Sequence, residues 1–176
     1  VSRRTIHVDD FVYSSDVSTL VRSTNGVEVI AERAMYFCFE KGCGGHGAPG
    51  VRAPHREWHL AEASTNWGFS TYLLVQNPSA SDNMADITFM RDDGRSHRQS
   101  FALEPHSRFT LDCSVIEGFE KADFAVRVDS REPVVVERAM YFKEYKGISG
   151  GHVSPGVEAP SSTWYLAEGY TGPGFT

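Results

Sequence analysis

Short runs in which apolar and polar residues alternate fill most of this chain, and turn residues separate them. In its central part they fall at residues 58–63, 69–76, 85–91, 96–103, 108–114, 124–129 and 134–142. Val, Ile, Thr, Phe and Tyr are frequent in these runs, which predicts strands. Between them lie Asn77-Pro78-Ser79, Asp92-Asp93-Gly94, Glu104-Pro105-His106 and Ser130-Arg131-Glu132-Pro133. Asp93-Gly94 suits a tight hairpin turn, and so does Asn25-Gly26. No segment of helical length carries a 3.6-residue period, and residues 116–122 are expected to form one helical turn at most. Seven short strands in about 105 residues predict an all-β fold, an immunoglobulin-like β-sandwich. The Cys…Trp…Cys spacing of antibody domains is missing, so only the architecture is implied.

The pattern also repeats itself. Ala31-Glu32-Arg33-Ala34-Met35-Tyr36-Phe37 returns as Val136-Glu137-Arg138-Ala139-Met140-Tyr141-Phe142, and Trp58-His59-Leu60-Ala61-Glu62 as Trp164-Tyr165-Leu166-Ala167-Glu168. Ser2-Arg3-Arg4-Thr5 returns as Ser107-Arg108-Phe109-Thr110. Laying residues 1–70 on 106–176 gives about 29 identities, roughly 40 %, with one extra residue near Ser149. A period this long is a whole domain, so the expectation is tandem immunoglobulin-like β-sandwich repeats of about 105 residues. Residues 1–57 then hold the C-terminal part of one repeat plus a linker, with residues 1–41 supplying its last three strands. Residues 58–163 hold a complete repeat plus linker, and residues 164–176 the first strand of the next. The stretches 38–57 and 143–163, rich in Gly and Pro, read as connections between domains. The natural termini are expected to lie elsewhere.

Composition narrows the partners. The 176 residues carry a formal net charge of −6 and no Lys/Arg run, which disfavours nucleic acid and anionic membranes. No apolar stretch reaches the length of a membrane span. Of three cysteines, Cys38 and Cys43 have Lys143 and Ile148 as counterparts. A pair present together in one copy and absent together from the other reads as a disulfide, which implies an oxidising, extracytoplasmic compartment. Cys113 aligns with Val8 and reads as a small core residue.

Trp-x-Leu-Ala-Glu, the run Gly-Phe-x-Thr-Tyr-Leu-Leu-Val-Gln-Asn-Pro at 68–78, Ser-Arg-x-Thr, and Val-Val-Val-Glu-Arg-Ala-Met-Tyr-Phe at 134–142 form a recognisable set. Together they resemble β-sandwich repeats of large secreted or surface-anchored prokaryotic proteins, over essentially the whole chain. The resemblance implies an extracellular modular protein and carries no catalytic residues. The Cys38/Cys43 pair departs from it, in a loop that is otherwise Gly-rich.

Candidate chemistry is sparse. Glu32-Arg33 and Glu137-Arg138 interrupt apolar strands. With a period of two, Arg138 shares a face with Val134, Val136, Met140 and Phe142, while Glu137 points the other way. A charge among apolar neighbours needs a partner, and Glu62, repeated as Glu168, is the expected bidentate partner of Arg138. His46 and His152 follow Gly-Gly in both copies. One His is too few ligands for zinc, so each is expected to fix a joint loop by hydrogen bonding. Gly147-Ile148-Ser149-Gly150-Gly151 matches G-x-S-x-G formally, but it lies in a loop and the first copy has no Ser there. Exposed Trp67 and Tyr170 are candidates for stacking on sugar rings, which keeps a carbohydrate-binding module as the alternative. No catalytic constellation emerges, and no cofactor or metal is expected. The sequence therefore predicts a non-enzymatic structural or adhesive module at the cell surface, in a stalk, sheath or filament. Its expected partners are neighbouring repeats, copies of the same protein, or surface glycans.

Overall fold

Alternating burial organises the molecule into two antiparallel sheets around one core in the computed structural model, which describes residues 2–40 and 42–173. The strands are β1 (Glu32–Phe39), β2 (Gly42–Pro49), β3 (His55–Ser64), β4 (Phe69–Asn77), β5 (Asn83–Arg91), β6 (Ser96–Leu103), β7 (Ser107–Asp112), β8 (Asp123–Tyr145) and β9 (Ile148–Pro155). In β4 and β5 every second residue is buried, so each strand gives one face to the core.

The organising element is β8. Its first part pairs with β3 and β5, and β6 extends that sheet from β5. Its second part pairs with β4 and β9, and β7 extends that sheet from β4. One bent strand thus belongs to both layers, a known way of turning a sandwich corner. The shared interior holds Trp58, Leu60, Leu73, Val75, Ile87, Phe89, Val126, Val128, Val134 and Val136, all almost free of solvent. Trp58 donates its indole N–H to the Val134 carbonyl at 2.9 Å, where β8 leaves one sheet for the other.

Buried polar side chains seal the loops. The Thr65 hydroxyl donates to the Phe119 carbonyl at 2.5 Å and accepts from the Ala122 amide at 3.1 Å. The Asn77 amide donates to the carbonyls of Ser81 and Glu104 at 2.9 and 2.8 Å. Each such group would be costly without its partner.

The all-β expectation holds, and several details differ from it. Residues 130–133 do not end a strand; they lie inside β8, opposite a register irregularity in β3. The stretches expected as connections contain β2 and β9, whose glycines pair in register instead of looping. The helical turn sits at Cys113–Val115, just before the expected stretch. Of residues 1–41, expected to give three strands, only β1 is strand among the described residues. Residues 2–31 carry a single 3-10 turn, Val8–Asp10, and residues 164–173 carry no strand. Residues 174–176, the end of the strand expected there, lie outside the described residues. Propensity alone does not hold a strand in water without a neighbour.

Trp58 and its counterpart Trp164 give a direct test. Trp58 is 1 % exposed and Trp164 56 %. Trp58→Ala is expected to cost about 3–5 kcal/mol. Trp164→Ala should cost less than about 0.5 kcal/mol, the scale of a surface change. Urea unfolding of the two variants of this chain measures both.

Candidate functional site: the joint between two like hairpins

β1 and β2 form a two-stranded sheet of their own. The register runs from Glu32 opposite Pro49 to Phe39 opposite Gly42. The second part of β8 and β9 repeat it, with Glu137 opposite Pro155, Met140 opposite His152 and Phe142 opposite Gly150. Both hairpins use aromatic rings to cover cross-strand glycines. A Cβ on Gly45 would lie 2.7 Å from the Tyr36 ring, and one on Gly151 would lie 2.6 Å from the Tyr141 ring. A ring laid over glycine replaces the missing side-chain packing, which is why strands this rich in glycine still pair.

The first hairpin lies on the outer face of the second. Arg33 pairs with Glu137 at 3.0 Å. Phe37 and Phe39 set their rings edge-on to Tyr141, at centroid distances of 5.0 and 5.2 Å. His46 Nε2 lies 3.3 Å from the Tyr141 hydroxyl. Gly151 permits this closeness twice, since a Cβ there would also meet Phe37 at 3.1 Å. Aromatic edge contacts of this kind add roughly 0.5–1.5 kcal/mol each beyond the area they bury.

The disulfide lies at the turn of the first hairpin, where Cys38 and Cys43 are direct cross-strand partners. Their counterparts in the second hairpin need no bridge, because β4 holds β8 from its other side. The remaining thiol, Cys113, is buried in the sandwich. Burial and the nearby Asp112 carboxylate push it up to about 12.

Arg138 is the buried member of the Glu-Arg pairs. Its Nη1 donates to the Glu62 backbone carbonyl. The Glu62 carboxylate stands 3.7 Å away on a side chain that is 71 % exposed. Glu62 is thus the partner of Arg138 as expected, but through its backbone carbonyl and a single ion-pair contact, without the bidentate geometry. The reason is register: β3 brings its main chain, rather than a carboxylate, to the inward face of β8. Burial pushes the guanidinium below its ordinary value, and Glu62 opposes the shift. Glu32 lies on the open outer face of β1, and Glu168 lies in the strandless C-terminal segment.

The two histidines sit in different surroundings. Burial lowers His46 first, then the charges of Arg33 and His152. Burial lowers His152 first, then Arg138. Burial raises Tyr141, with Arg33 opposing. The joint thus favours neutral imidazoles between two guanidinium groups. Among the described residues no three His, Cys, Asp or Glu side chains converge on a possible metal position. Trp67 is 66 % exposed on a turn of positive φ, whereas Tyr170 lies far along the chain in the C-terminal segment. Sequence reasoning missed Tyr141 and Phe37 as contact residues. Their signal was present as the aromatic residues opposite Gly-Gly in both copies.

The class these features define is an all-β protein: two sheets around one core, with a small hairpin docked outside. No known protein family and no curated protein matches the chain. Among solved structures, Thermotoga maritima 1070 is similar with a TM-score of 0.55 and 16 % sequence identity, over 62 % of this chain and 98 % of that one. The Anabaena sensory rhodopsin transducer is similar with a TM-score of 0.43 and 16 % identity, over 51 % of this chain and 86 % of that one. The Thermotoga likeness shows a shared fold and nothing of activity. No helix among the described residues is long and apolar enough to cross a membrane.

Arg138→Ala is expected to cost about 2–3 kcal/mol, because it strips the Glu62 carbonyl of its charged donor. Glu62→Gln should cost less than about 0.5 kcal/mol, as befits an exposed carboxylate. Equal losses in denaturant titrations of the two variants would contradict the backbone assignment.

Acid should loosen the joint. Both imidazoles have folded pKa values below the ordinary 6.5. The unfolded chain therefore takes up protons that the folded one resists. The stability they contribute is complete above about pH 6.5 and falls as the pH drops from there towards the lowered values. Denaturant midpoints measured between about pH 7.5 and pH 5 should decline, and the decline should shrink in His46→Gln/His152→Gln.

Replacing Cys38 and Cys43 together with Ser should weaken the first hairpin. A ring closed over five residues of sequence contributes at most about 2 kcal/mol through the unfolded chain. Hydrogen exchange should quicken in β1 and β2 and stay unchanged in β4 and β5.

Proposed function

We propose that this chain is a stretch of tandem β-sandwich repeats, immunoglobulin-like in their layered architecture. Its role is that of a structural or adhesive module of an extracellular surface protein, stalk, sheath or filament. Residues 1–57 belong to one repeat, 58–163 to a complete one, and 164–176 to the next. One observation supports this most: side chains that the complete copy buries are matched, position by position, by exposed ones in the flanking copies. Leu111, Ile116, Val126 and Val134 are buried, and their counterparts Ile6, Phe11, Val21 and Val29 are exposed. Trp58 and Leu60 relate to Trp164 and Leu166 in the same way. Shared register in the two hairpins supports the same reading. The disulfide favours an oxidising compartment outside the cytoplasm. Neighbouring repeats and further copies of the protein are the natural partners.

Force spectroscopy of the full-length protein tests this. Repeats of about 105 residues should unfold in equal steps of roughly 350 Å of extended chain. A single irregular unfolding event would contradict the array. The alternative, a carbohydrate-binding accessory module, draws on exposed Trp67. It predicts glycan-array binding that is lost in Trp67→Ala.

A further inference from the structure

The two hairpins share a sequence and a register, but they use their faces differently. In the second hairpin the face bearing Arg138, Met140 and Phe142 points into its own sandwich. Arg138 and Met140 are buried, Phe142 meets Phe69 at 5.0 Å, and β4 pairs alongside with Thr71 opposite Met140. In the first hairpin the equivalent face bears Arg33, Met35 and Phe37. Arg33 and Phe37 of this face meet instead Glu137 and Tyr141, on the outer face of the second hairpin, while Met35 stays 38 % exposed. The outer face of the first hairpin, with Tyr36 85 % exposed, is bare.

We infer that the Arg33–Met35–Phe37 face has two mutually exclusive partners: the outer Glu137–Tyr141 face of the following repeat, and the interior of a sandwich completed by a segment built like residues 58–105. This inference rests on the tandem reading above. The same side chains cannot face both partners. The second partner is the larger one, because it would also cover Ile6, Phe11, Val21 and Val29, which β1–β2 leaves exposed here. Burying apolar surface at roughly 25 cal/mol per Å² favours the partner that removes more of it from water. Completion of one repeat therefore uncovers Tyr141 on the next. It turns that outer face into a receptor for the Arg-x-Met-x-Phe face of another hairpin of this kind.

The test places a second copy of residues 58–105 directly ahead of Val1, which reproduces the spacing of the complete copy because Val1 is the counterpart of His106. Two signals are read in the original and extended chains: hydrogen exchange of residues 18–31, and nitration of Tyr141 by tetranitromethane, mapped by peptide mass spectrometry. Tyr36 serves as the internal reference, since its face stays open in both chains. The expected result is strong new protection of residues 18–31, with a severalfold rise in Tyr141 nitration relative to Tyr36. Protection without that rise overturns the exclusivity and leaves the tandem reading standing. No new protection overturns both.

Discussion

Everything in this molecule depends on one strand serving two sheets. β8 runs for 23 residues and supplies the central partner of both layers. It passes from one layer to the other around residues 130–133, opposite a register irregularity in β3, and Trp58 ties that crossing down through the Val134 carbonyl. The same continuity makes the core and the outer joint parts of one object. Val134 and Val136 face inward at the centre, and a few residues later Glu137 and Tyr141 face outward to the docked hairpin. A disturbance at the crossing reaches both sheets at once, because no loop lies between them to absorb it.

The second constraint is the pairing of aromatic rings with glycine. Glycine normally weakens a strand. Here the bare backbone lets a ring lie flat across the partner strand, and then lets a second hairpin come close enough for Phe37 to reach Tyr141. The two hairpins therefore approach closely at Gly151, where a Cβ would meet Phe37 at 3.1 Å. Burial there, with Arg33 and Arg138 nearby, lowers the pKa of both imidazoles.

Much of this was legible in the sequence, and the reasons divide cleanly. In β4 and β5 every second residue was legible as core-facing, and burial in the structure follows that period of two. Residues 148–155 read as a loop because their composition, Gly-Gly followed by Pro, is that of a loop; only the facing aromatic residues make it a strand. Residues 130–133 read as a turn for the same reason, since Pro133 and its polar neighbours bend the chain without ending the ladder. Arg138 illustrates a different limit. Periodicity placed its side chain, but which atom of Glu62 receives it depends on the offset between β3 and β8, and no single strand encodes that offset. The contact between Arg33 and Glu137 joins hairpins from two copies of the pattern, so neither hairpin read alone contains it.

The depth at which Cys113 lies has a consequence for oxidative maturation. Burial pushes its thiol up to about 12, so it stays protonated at neutral pH and is a poor nucleophile. Once the sandwich has closed, only Cys38 and Cys43 are left to an oxidant, already opposite one another across the hairpin. An odd number of cysteines normally invites mispairing. In the folded chain packing removes the choice, because the third thiol is buried while the other two stand opposite one another.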